Sequence, residues 1–213
     1  MNVSLILGHP NPLSFNHAIA HTALDVLRSL GHTVFFHDLY AEDFDPNLPF
    51  CEFNQNAELP VDVRDYCEEL KISSGIIVIH PNWWGQPPAI VKGWIDRILR
   101  PGVAYNFAEG DKGEGVPIGL LEGTAALVFN TSNTPVEREM NVFGDPLEIL
   151  WRSCIFGLCG IKDFFRKNFG VVITSSAKKR RIWLEEVKNT TAHCFSGVSC
   201  NATNRTKSVL FDS

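Results

Sequence analysis

Short apolar segments alternate along this chain with amphipathic helical segments, and this alternation limits the possible folds more than any other sequence feature. Residues 3–7 and 75–79 are continuous apolar runs, which are typical of strands buried on both faces. The segment after Pro88 instead carries an apolar stripe at helical spacing, made of Ile90, Val91, Trp94, Ile95, Ile98 and Leu99. Strands joined by helices predict a parallel sheet that is covered by helices on both faces.

The positions of the segments predict an α/β, flavodoxin-like, doubly wound five-stranded parallel sheet with strand order 2-1-3-4-5. Strands are expected at 3–7, 33–39, 75–79, 124–129 and 169–173, and the last helix at 178–188. Residues 1–189 form one predicted flavodoxin-like domain. Residues 190–213 are rich in Ser, Thr and Asn and lack apolar periodicity, so we expect a poorly ordered polar tail there.

Composition excludes several other classes of protein. The chain has 19 basic and 24 acidic residues, and a net charge of −5 does not favour nucleic acid as a partner. No apolar run approaches the ~20 residues of a membrane span, so we expect no membrane insertion. The first residues lack the basic region of a signal peptide, and this favours a cytoplasmic location. Six scattered cysteines without metal-ligand spacing are typical of reduced structural thiols.

Three loops at the carboxyl ends of the predicted strands are the candidate binding site, because ligands of such sheets bind at that edge. In the first loop, residues 9–16, Ser14 is placed to cap the next helix, whose free N–H groups suit a phosphate. Plain helix capping explains Ser14 equally well. The loop contains neither the dinucleotide-binding glycine motif nor the phosphate-binding P-loop motif.

The second loop, residues 81–85, contains Trp83 and Trp84, and an indole there can pack against a planar heterocycle. The alternative is that both side chains pack under the following helix. The third loop, residues 130–134, is either a hydrogen-bonding rim or the start of a helix. A magnesium-dependent receiver domain would need acidic residues where His9 and His80 stand, so that class is excluded.

Four segments together resemble the flavodoxin-like NAD(P)H:quinone oxidoreductases. They are HPNPLSFNHA (9–18), PNWWGQPPAIVKGW (81–94), GVAYNF (102–107) and residues 147–160, and the similarity covers roughly residues 3–188. The resemblance implies a flavin cofactor, FAD with FMN as the alternative, and NAD(P)H as co-substrate. It also implies a homodimer with the site at the subunit interface, so that the partner contributes lining residues.

The resemblance also assigns site residues. Positions around the flavin phosphate and ribityl chain match His9, Ser14, Phe15, Asn16 and Ala18. The loop along the isoalloxazine ring matches Pro81, Asn82, Trp83, Trp84 and Gly85, and the loop closing over its pyrimidine side matches Thr131, Ser132 and Asn133. Arg181 resembles the arginine at the adenosine half of FAD, with residues 178–180 expected to be a solvated basic turn. Tyr105 and Phe107 match aromatic positions over the flavin, where nicotinamide and quinone bind.

The implied reaction is a two-electron ping-pong transfer from NAD(P)H through the flavin to a quinone. The N–H groups near 83–85 are expected to stabilise negative charge on the reduced ring. In residues 135–144, Phe143 stands near the position of a family histidine, so no catalytic acid or base is predicted. Two alternatives stay open, a regulatory subunit of a potassium-efflux transporter and a flavodoxin-like electron carrier. The long aromatic loop, residues 100–123, argues against the carrier.

Overall fold

The computed structural model describes residues 1–108, 115–197 and 199–201. Its elements in chain order are β1 (Asn2–Leu7), α1 (Phe15–Ser29), β2 (Thr33–Asp38), α2 (Val61–Lys71), β3 (Gly75–Pro81), α3 (Ala89–Ile98), β4 (Tyr105–Asn106), β5 (Ile118–Gly119), β6 (Ala125–Ser132), α4 (Val136–Asn141), α5 (Pro146–Ile149), a π-helix (Leu150–Gly157), β7 (Asp163–Gly170) and α6 (Ala177–Cys194). A single 3₁₀ turn, Phe50–Glu52, lies between β2 and α2.

Five parallel strands form the central sheet in the order β2-β1-β3-β6-β7. This is the predicted flavodoxin-like order, with the additional two-stranded β4–β5 hairpin set apart from the sheet. Strand β3 lies at the centre and is buried over its whole length, which explains its continuous apolar sequence. The predicted fold class is therefore confirmed.

The two faces of the sheet pack into two separate apolar cores. Helices α1 and α6 cover one face, where Leu27, Phe169 and Trp183 are buried. Helices α2 and α3 and the π-helix cover the other, where Trp94 and Trp151 are buried. Covering both faces leaves the strand ends as the open edge of the sheet, which positions any ligand there.

The last strand, β7, is displaced from its predicted position at 169–173 and spans Asp163–Gly170. It is the edge strand of the sheet, and most of its residues between Phe164 and Phe169 are only partly buried. Arg166 is accommodated by its ion pairs with Asp145 and Glu148, and Lys167 by its ion pair with Glu186. Because of these charged residues, the strand is not a continuous apolar run in the sequence.

Residues 190–197 and 199–201 are part of the fold, so for these residues the prediction of a poorly ordered tail from residue 190 is wrong. Helix α6 continues to Cys194, and Phe195 and Cys200 are buried. The Asp163 carboxylate accepts hydrogen bonds from the N–H groups of Cys200 and Asn201, each at 3.0 Å. Residues 202–213 lie outside the described part of the chain.

A buried ion pair ties the segment between β2 and α2 to helix α3. The guanidinium of Arg97 donates to both carboxylate oxygens of Glu52, at 2.5 and 3.0 Å, and to the carbonyl of Asp45 at 2.6 Å. Both side chains are almost completely shielded from solvent. Because each charge is satisfied by the other, the pair fixes a segment that has little regular structure of its own.

The predicted long loop, residues 100–123, contains the β4–β5 hairpin, and residues 109–114 within it lie outside the described part. The predicted helix over 147–160 is divided into α5 and the π-helix. Among the described residues, no helix combines the length and apolar character needed to span a bilayer.

Candidate functional site

The three predicted loops converge at the carboxyl edge of the sheet around a cavity of about 390 Å³, here called the polar cavity. The segment after β7 completes its wall. The predicted cofactor residues in its lining are His9, Ser14, Phe15, Asn16, Pro81, Asn82, Trp83, Thr131, Ser132 and Asn133. The lining also includes residues that were not predicted as site residues, which are Asn11, Leu13, Thr134, Val172, Ile173 and Arg180.

The N-terminus of α1 forms one wall of the polar cavity. Ser14 caps the helix and accepts the N–H of His17 at 3.3 Å. The N–H groups of Phe15 and Asn16 in the first helical turn have no carbonyl partner within the helix. They carry the positive end of the helix dipole, so this wall can bind a phosphoryl group.

Two histidines lie behind that wall. His17 is buried, and its Nε2 donates to the Asp38 carboxylate at 2.9 Å while its Nδ1 lies 2.9 Å from Ser14 Oγ. The rings of His9 and His17 are 6.3 Å apart between centroids. Burial lowers the pKa of His9, and its Nδ1 accepts the N–H of Asn11 at 3.1 Å. His9 therefore favours the neutral form at pH 7.

The structure places Arg180, the neighbour of the predicted Arg181, in the wall of the polar cavity. Arg180 lines the polar cavity, whereas Arg181 is exposed and lines no part of it. The guanidinium of Arg180 is held by the Ser175 hydroxyl at 2.8 Å and the Val172 carbonyl at 3.2 Å. Among the residues that line this cavity, Arg180 is the one permanent cation, so it is placed to balance an anionic ligand.

Asn16 and Thr131 join α1 to β6 rather than presenting free groups to a ligand. The amide of Asn16 donates to Thr131 Oγ1 at 3.0 Å and accepts from the same hydroxyl at 3.3 Å. Asn133 Oδ1 accepts the N–H of Ile173 at 2.9 Å and so fixes the segment after β7. Ala18 is half-buried and lies outside the cavity lining.

The turn after β3 presents two tryptophans. Trp83 and Gln86 exchange two backbone hydrogen bonds of 3.0 Å, and the central residues Trp84 and Gly85 have φ values of 58° and 73°. Positive φ at both central positions is the pattern of a type I′ turn. Trp84 is fully exposed at 102 % and Trp83 is 42 % exposed, so the alternative of both packing under the following helix is wrong.

Most N–H groups of this turn already donate hydrogen bonds to other atoms of the protein. The N–H of Trp83 donates to the Gln86 carbonyl, and the N–H of Gly85 donates to Asn82 Oδ1 at 2.9 Å. These two N–H groups are therefore already occupied, and the expected stabilisation of a reduced ring would fall to the remaining amide of the turn. Within the described residues, the N–H of Trp84 is the one amide of the turn without a hydrogen bond.

Glu139 on α4 holds the turn in place through side-chain hydrogen bonds. Its Oε1 accepts the Asn82 side-chain amide at 3.0 Å and the Ser132 hydroxyl at 3.1 Å. Glu139 is only 5 % exposed, although its position in a short, charged helix gave no sequence signal of burial. Because Asn82 in turn binds Gly85, Glu139 holds the turn in place through Asn82.

A second cavity of about 520 Å³, here called the aromatic cavity, adjoins the polar cavity. Both are lined by Asn82 and Thr134, and the remaining lining comprises Trp84, Gly85, Glu139, Phe143 and Pro146. Because the two cavities share these residues, they together present a helix N-terminus, Arg180 and an exposed tryptophan. A phosphorylated ligand with a planar ring system fits this arrangement.

Tyr105 and Phe107 lie away from both cavities. Their rings contact each other edge to face, with centroids 5.7 Å apart, and they line a third cavity of about 420 Å³ beside α3 and the π-helix. Cys154 and Leu158 also line this cavity. Within one chain, the structure does not bring the two predicted substrate residues over the predicted cofactor residues.

His80 lies buried under the site at the end of β3. Its Nδ1 bonds the Pro81 carbonyl at 2.8 Å, and its Nε2 accepts the indole N–H of Trp151 at 3.0 Å. Complete burial lowers the pKa of His80 to about 4, assisted by the nearby charge of Arg166. His80 is thus a neutral structural residue with both ring nitrogens hydrogen-bonded.

Comparison with known proteins agrees with this geometry. Residues 1–182 match the family model described as "Flavodoxin-like fold". The chain is 31 % identical over 189 residues to an uncharacterized NAD(P)H oxidoreductase of Haemophilus influenzae, covering 87 % of this chain and 91 % of the relative. It is 28 % identical over 230 residues to human ribosyldihydronicotinamide dehydrogenase [quinone], covering 92 % and 97 %.

A solved structure supports the same fold. The NAD(P)H:quinone oxidoreductase of Methanothermobacter marburgensis superposes with a TM-score of 0.73 at 24 % identity, covering 91 % of this chain and 96 % of that one. The resemblance found in the sequence is therefore confirmed. The chain belongs to the flavodoxin-like family that includes the NAD(P)H oxidoreductases named above.

Proposed function

We propose that this protein is a flavin-dependent NAD(P)H:quinone oxidoreductase that binds its flavin along the polar and aromatic cavities. The observation that carries this proposal is the junction of the two cavities at Asn82 and Thr134. This junction places the cavity at the N-terminus of α1 next to the cavity lined by the exposed Trp84. The names of the relatives, an NAD(P)H oxidoreductase and a ribosyldihydronicotinamide dehydrogenase [quinone], support the reaction class.

The residues fit a flavin by their chemistry. Ser14, the N–H groups of Phe15 and Asn16, and Arg180 would hold its phosphoryl end. The turn that bears Trp84 would hold the ring system, with Glu139 keeping the turn in place. A bound flavin supplies the redox chemistry, which is hydride transfer from NAD(P)H and, after the nicotinamide has left, two-electron transfer to a quinone.

We infer that the flavin is FAD rather than FMN. A further cavity of about 480 Å³ lies beside the polar cavity, along the segment after β7, and is lined by Gly170, Ser175 and Lys179 among others. Ser175 also holds Arg180, which lines the polar cavity. The additional space next to the phosphoryl end supports a cofactor with an adenosine half.

We also infer a homodimer. The cavity of Tyr105 and Phe107 is flanked by exposed apolar side chains, including Ile118 and Leu158. The resemblance places the family's site at a subunit interface, and a second copy would cover this apolar face and bring Tyr105 and Phe107 to its partner's flavin. Cys51, Cys67, Cys154 and Cys159 are free thiols, which supports the expected cytoplasmic location.

The test is to purify the protein, reconstitute it with FAD and with FMN, and titrate it with NADPH without oxygen. We expect a yellow protein that releases FAD on denaturation, is bleached by NADPH and recovers its colour with a quinone. FMN as the released cofactor would contradict the FAD assignment alone. Failure to retain any flavin, or a flavin that NADPH does not reduce, would overturn the proposed function.

Adjacent arginines provide a matched pair of variants for the same test. Arg180→Gln removes the permanent cation from the polar cavity, so we expect FAD affinity to fall by roughly tenfold, as for one lost charge-assisted contact. Arg181→Gln changes an exposed neighbour and is expected to leave FAD affinity unchanged. Equilibrium dialysis measures both, and the opposite ranking would show that the site uses Arg181.

A further inference from the structure

Asp38, His17 and Ser14 form a continuous hydrogen-bonded chain that ends at the wall of the polar cavity. Asp38 is the last residue of β2, His17 lies in the first turn of α1, and Ser14 caps that helix. The Asp38 Oδ2 to His17 Nε2 and His17 Nδ1 to Ser14 Oγ distances are both 2.9 Å. The side chains of His17 and Asp38 are 7 % and 17 % exposed, whereas Ser14 lines the cavity.

The chemistry of the three groups fixes where the protons lie when His17 is neutral. A carboxylate only accepts hydrogen bonds, so the ring proton of His17 must lie on Nε2 and face Asp38. His17 Nδ1 is then an acceptor, and the Ser14 hydroxyl donates its proton to it. In this state Ser14 has no proton to offer to the cavity, and its oxygen lone pairs oppose an anion there.

Protonation of His17 reverses the direction of the bond to Ser14. An imidazolium donates from both nitrogens, so Nδ1 donates to Ser14 Oγ while Nε2 still donates to Asp38. The Ser14 hydroxyl is then free to donate into the polar cavity. One added proton on the buried histidine thus changes Ser14 from a poor neighbour of an anion into a hydrogen-bond donor to it.

We propose that His17 takes up one proton when a phosphoryl group binds in the polar cavity, and that the Ser14 hydroxyl then donates to this group. The inference rests on the proposed function, because the flavin supplies the phosphoryl group. It adds that cofactor affinity is linked to pH through a positioning residue that is itself shielded from the cavity by Ser14.

The groups that face His17 from the surrounding elements favour this assignment. The Asp38 carboxylate at the end of β2 stabilises an imidazolium, and its other oxygen, Oδ1, is already bound to the N–H groups of Tyr40 and Ala41. From the loop after β1, His9 faces His17, but its Nδ1 is occupied by the N–H of Asn11. From the side of α6, Arg180 lines the same cavity and would be paired with the bound phosphoryl group.

The test measures proton uptake when FAD binds to the flavin-free full-length protein. FAD is suitable because its diphosphate, unlike the phosphate monoester of FMN, does not titrate near neutral pH. Calorimetric titrations at pH 7.5 in two buffers of different ionisation enthalpy give the number of protons bound, and fluorescence titrations give Kd between pH 6.5 and 8.5. We expect uptake of about one proton and a Kd that rises by up to about tenfold per pH unit.

Three variants locate the proton. His17→Asn is expected to abolish both the proton uptake and the pH dependence of Kd. Ser14→Ala keeps the pair of His17 with Asp38 but breaks the link to the cavity, so it is expected to do the same even if His17→Asn does not fold. His21→Asn, on the exposed side of the same helix, is the matched control and is expected to behave like the wild type.

The outcomes separate this inference from the proposed function. FAD binding without proton uptake, or uptake that persists in Ser14→Ala, would overturn the inference and leave the proposed function intact. Uptake that is lost in His9→Asn but kept in His17→Asn would assign the proton to His9 and also overturn it. A protein that binds no flavin would overturn both.

Discussion

Buried His80 is expected to make the protein less stable in mild acid, by an amount that follows from its surroundings. In the folded protein its pKa is lowered to about 4 by burial, whereas in the unfolded chain it titrates near 6.5. Between these values the unfolded state binds a proton that the folded state does not, so stability falls as pH falls. With about 1.4 kcal/mol per pKa unit, this residue removes roughly 2 kcal/mol between pH 7 and pH 5.

The perturbation that isolates this effect is His80→Gln. A glutamine amide does not titrate, and its oxygen can accept the indole N–H of Trp151 as His80 Nε2 does. Urea unfolding of the two proteins at pH 7, 6 and 5 gives the free energy of unfolding at each pH. The wild type is expected to lose about 2 kcal/mol more than the variant between pH 7 and 5.

Other acidic and basic groups titrate over the same range, but they are common to both proteins and cancel in the difference. His21→Gln, which removes an exposed histidine, is the control and should follow the wild type. If His80→Gln and the wild type lose stability in parallel, then burial does not hold His80 neutral in the folded state, and the reasoning fails.

Three further substitutions test the description of the fold and site. Trp84→Ala is expected to change the free energy of unfolding by less than about 0.5 kcal/mol, because the ring is fully exposed, while weakening FAD binding in equilibrium dialysis. Gly85→Ala adds a Cβ only 2.9 Å from the ring of Pro146 at a φ of 73°, so thermal unfolding should show a loss of roughly 1–2 kcal/mol. Arg97→Met leaves the Glu52 carboxylate buried without its partner and should cost roughly 3 kcal/mol in urea unfolding; a loss below 1 kcal/mol would contradict the buried pair.

The sequence predicted the fold well where burial determines the residue types. Strand β3 is covered on both faces, so its apolar run is continuous and its position was predicted within two residues. Strand β7 is at the edge, and its charged residues Arg166 and Lys167 are held by ion pairs, so apolar periodicity pointed to the wrong segment. The last turns of α6 were not predicted either, because the buried residues Thr191 and Cys194 stand in a sequence that is otherwise polar.

For the site as well, the sequence predicted where the loops lie but not which individual side chains are buried or line the cavity. Strand order alone places the three loops at one edge, and the N-cap role of Ser14 follows from its position before α1. The choice between Arg180 and Arg181 depends on the rotation of α6 about its axis, which a run of four basic residues does not reveal. Burial of Glu139 depends on its hydrogen bonds to Ser132, seven residues away, and to Asn82, which is 57 residues away in the chain.

The fully exposed indole of Trp84 gives this protein a built-in optical reporter. An indole in water emits at longer wavelength than the buried indoles of Trp94 and Trp151. A flavin ring lying against Trp84 would absorb that emission energy, so the red side of the intrinsic fluorescence spectrum would dim as the cavity fills. Loading of the site could then be followed in real time without any label.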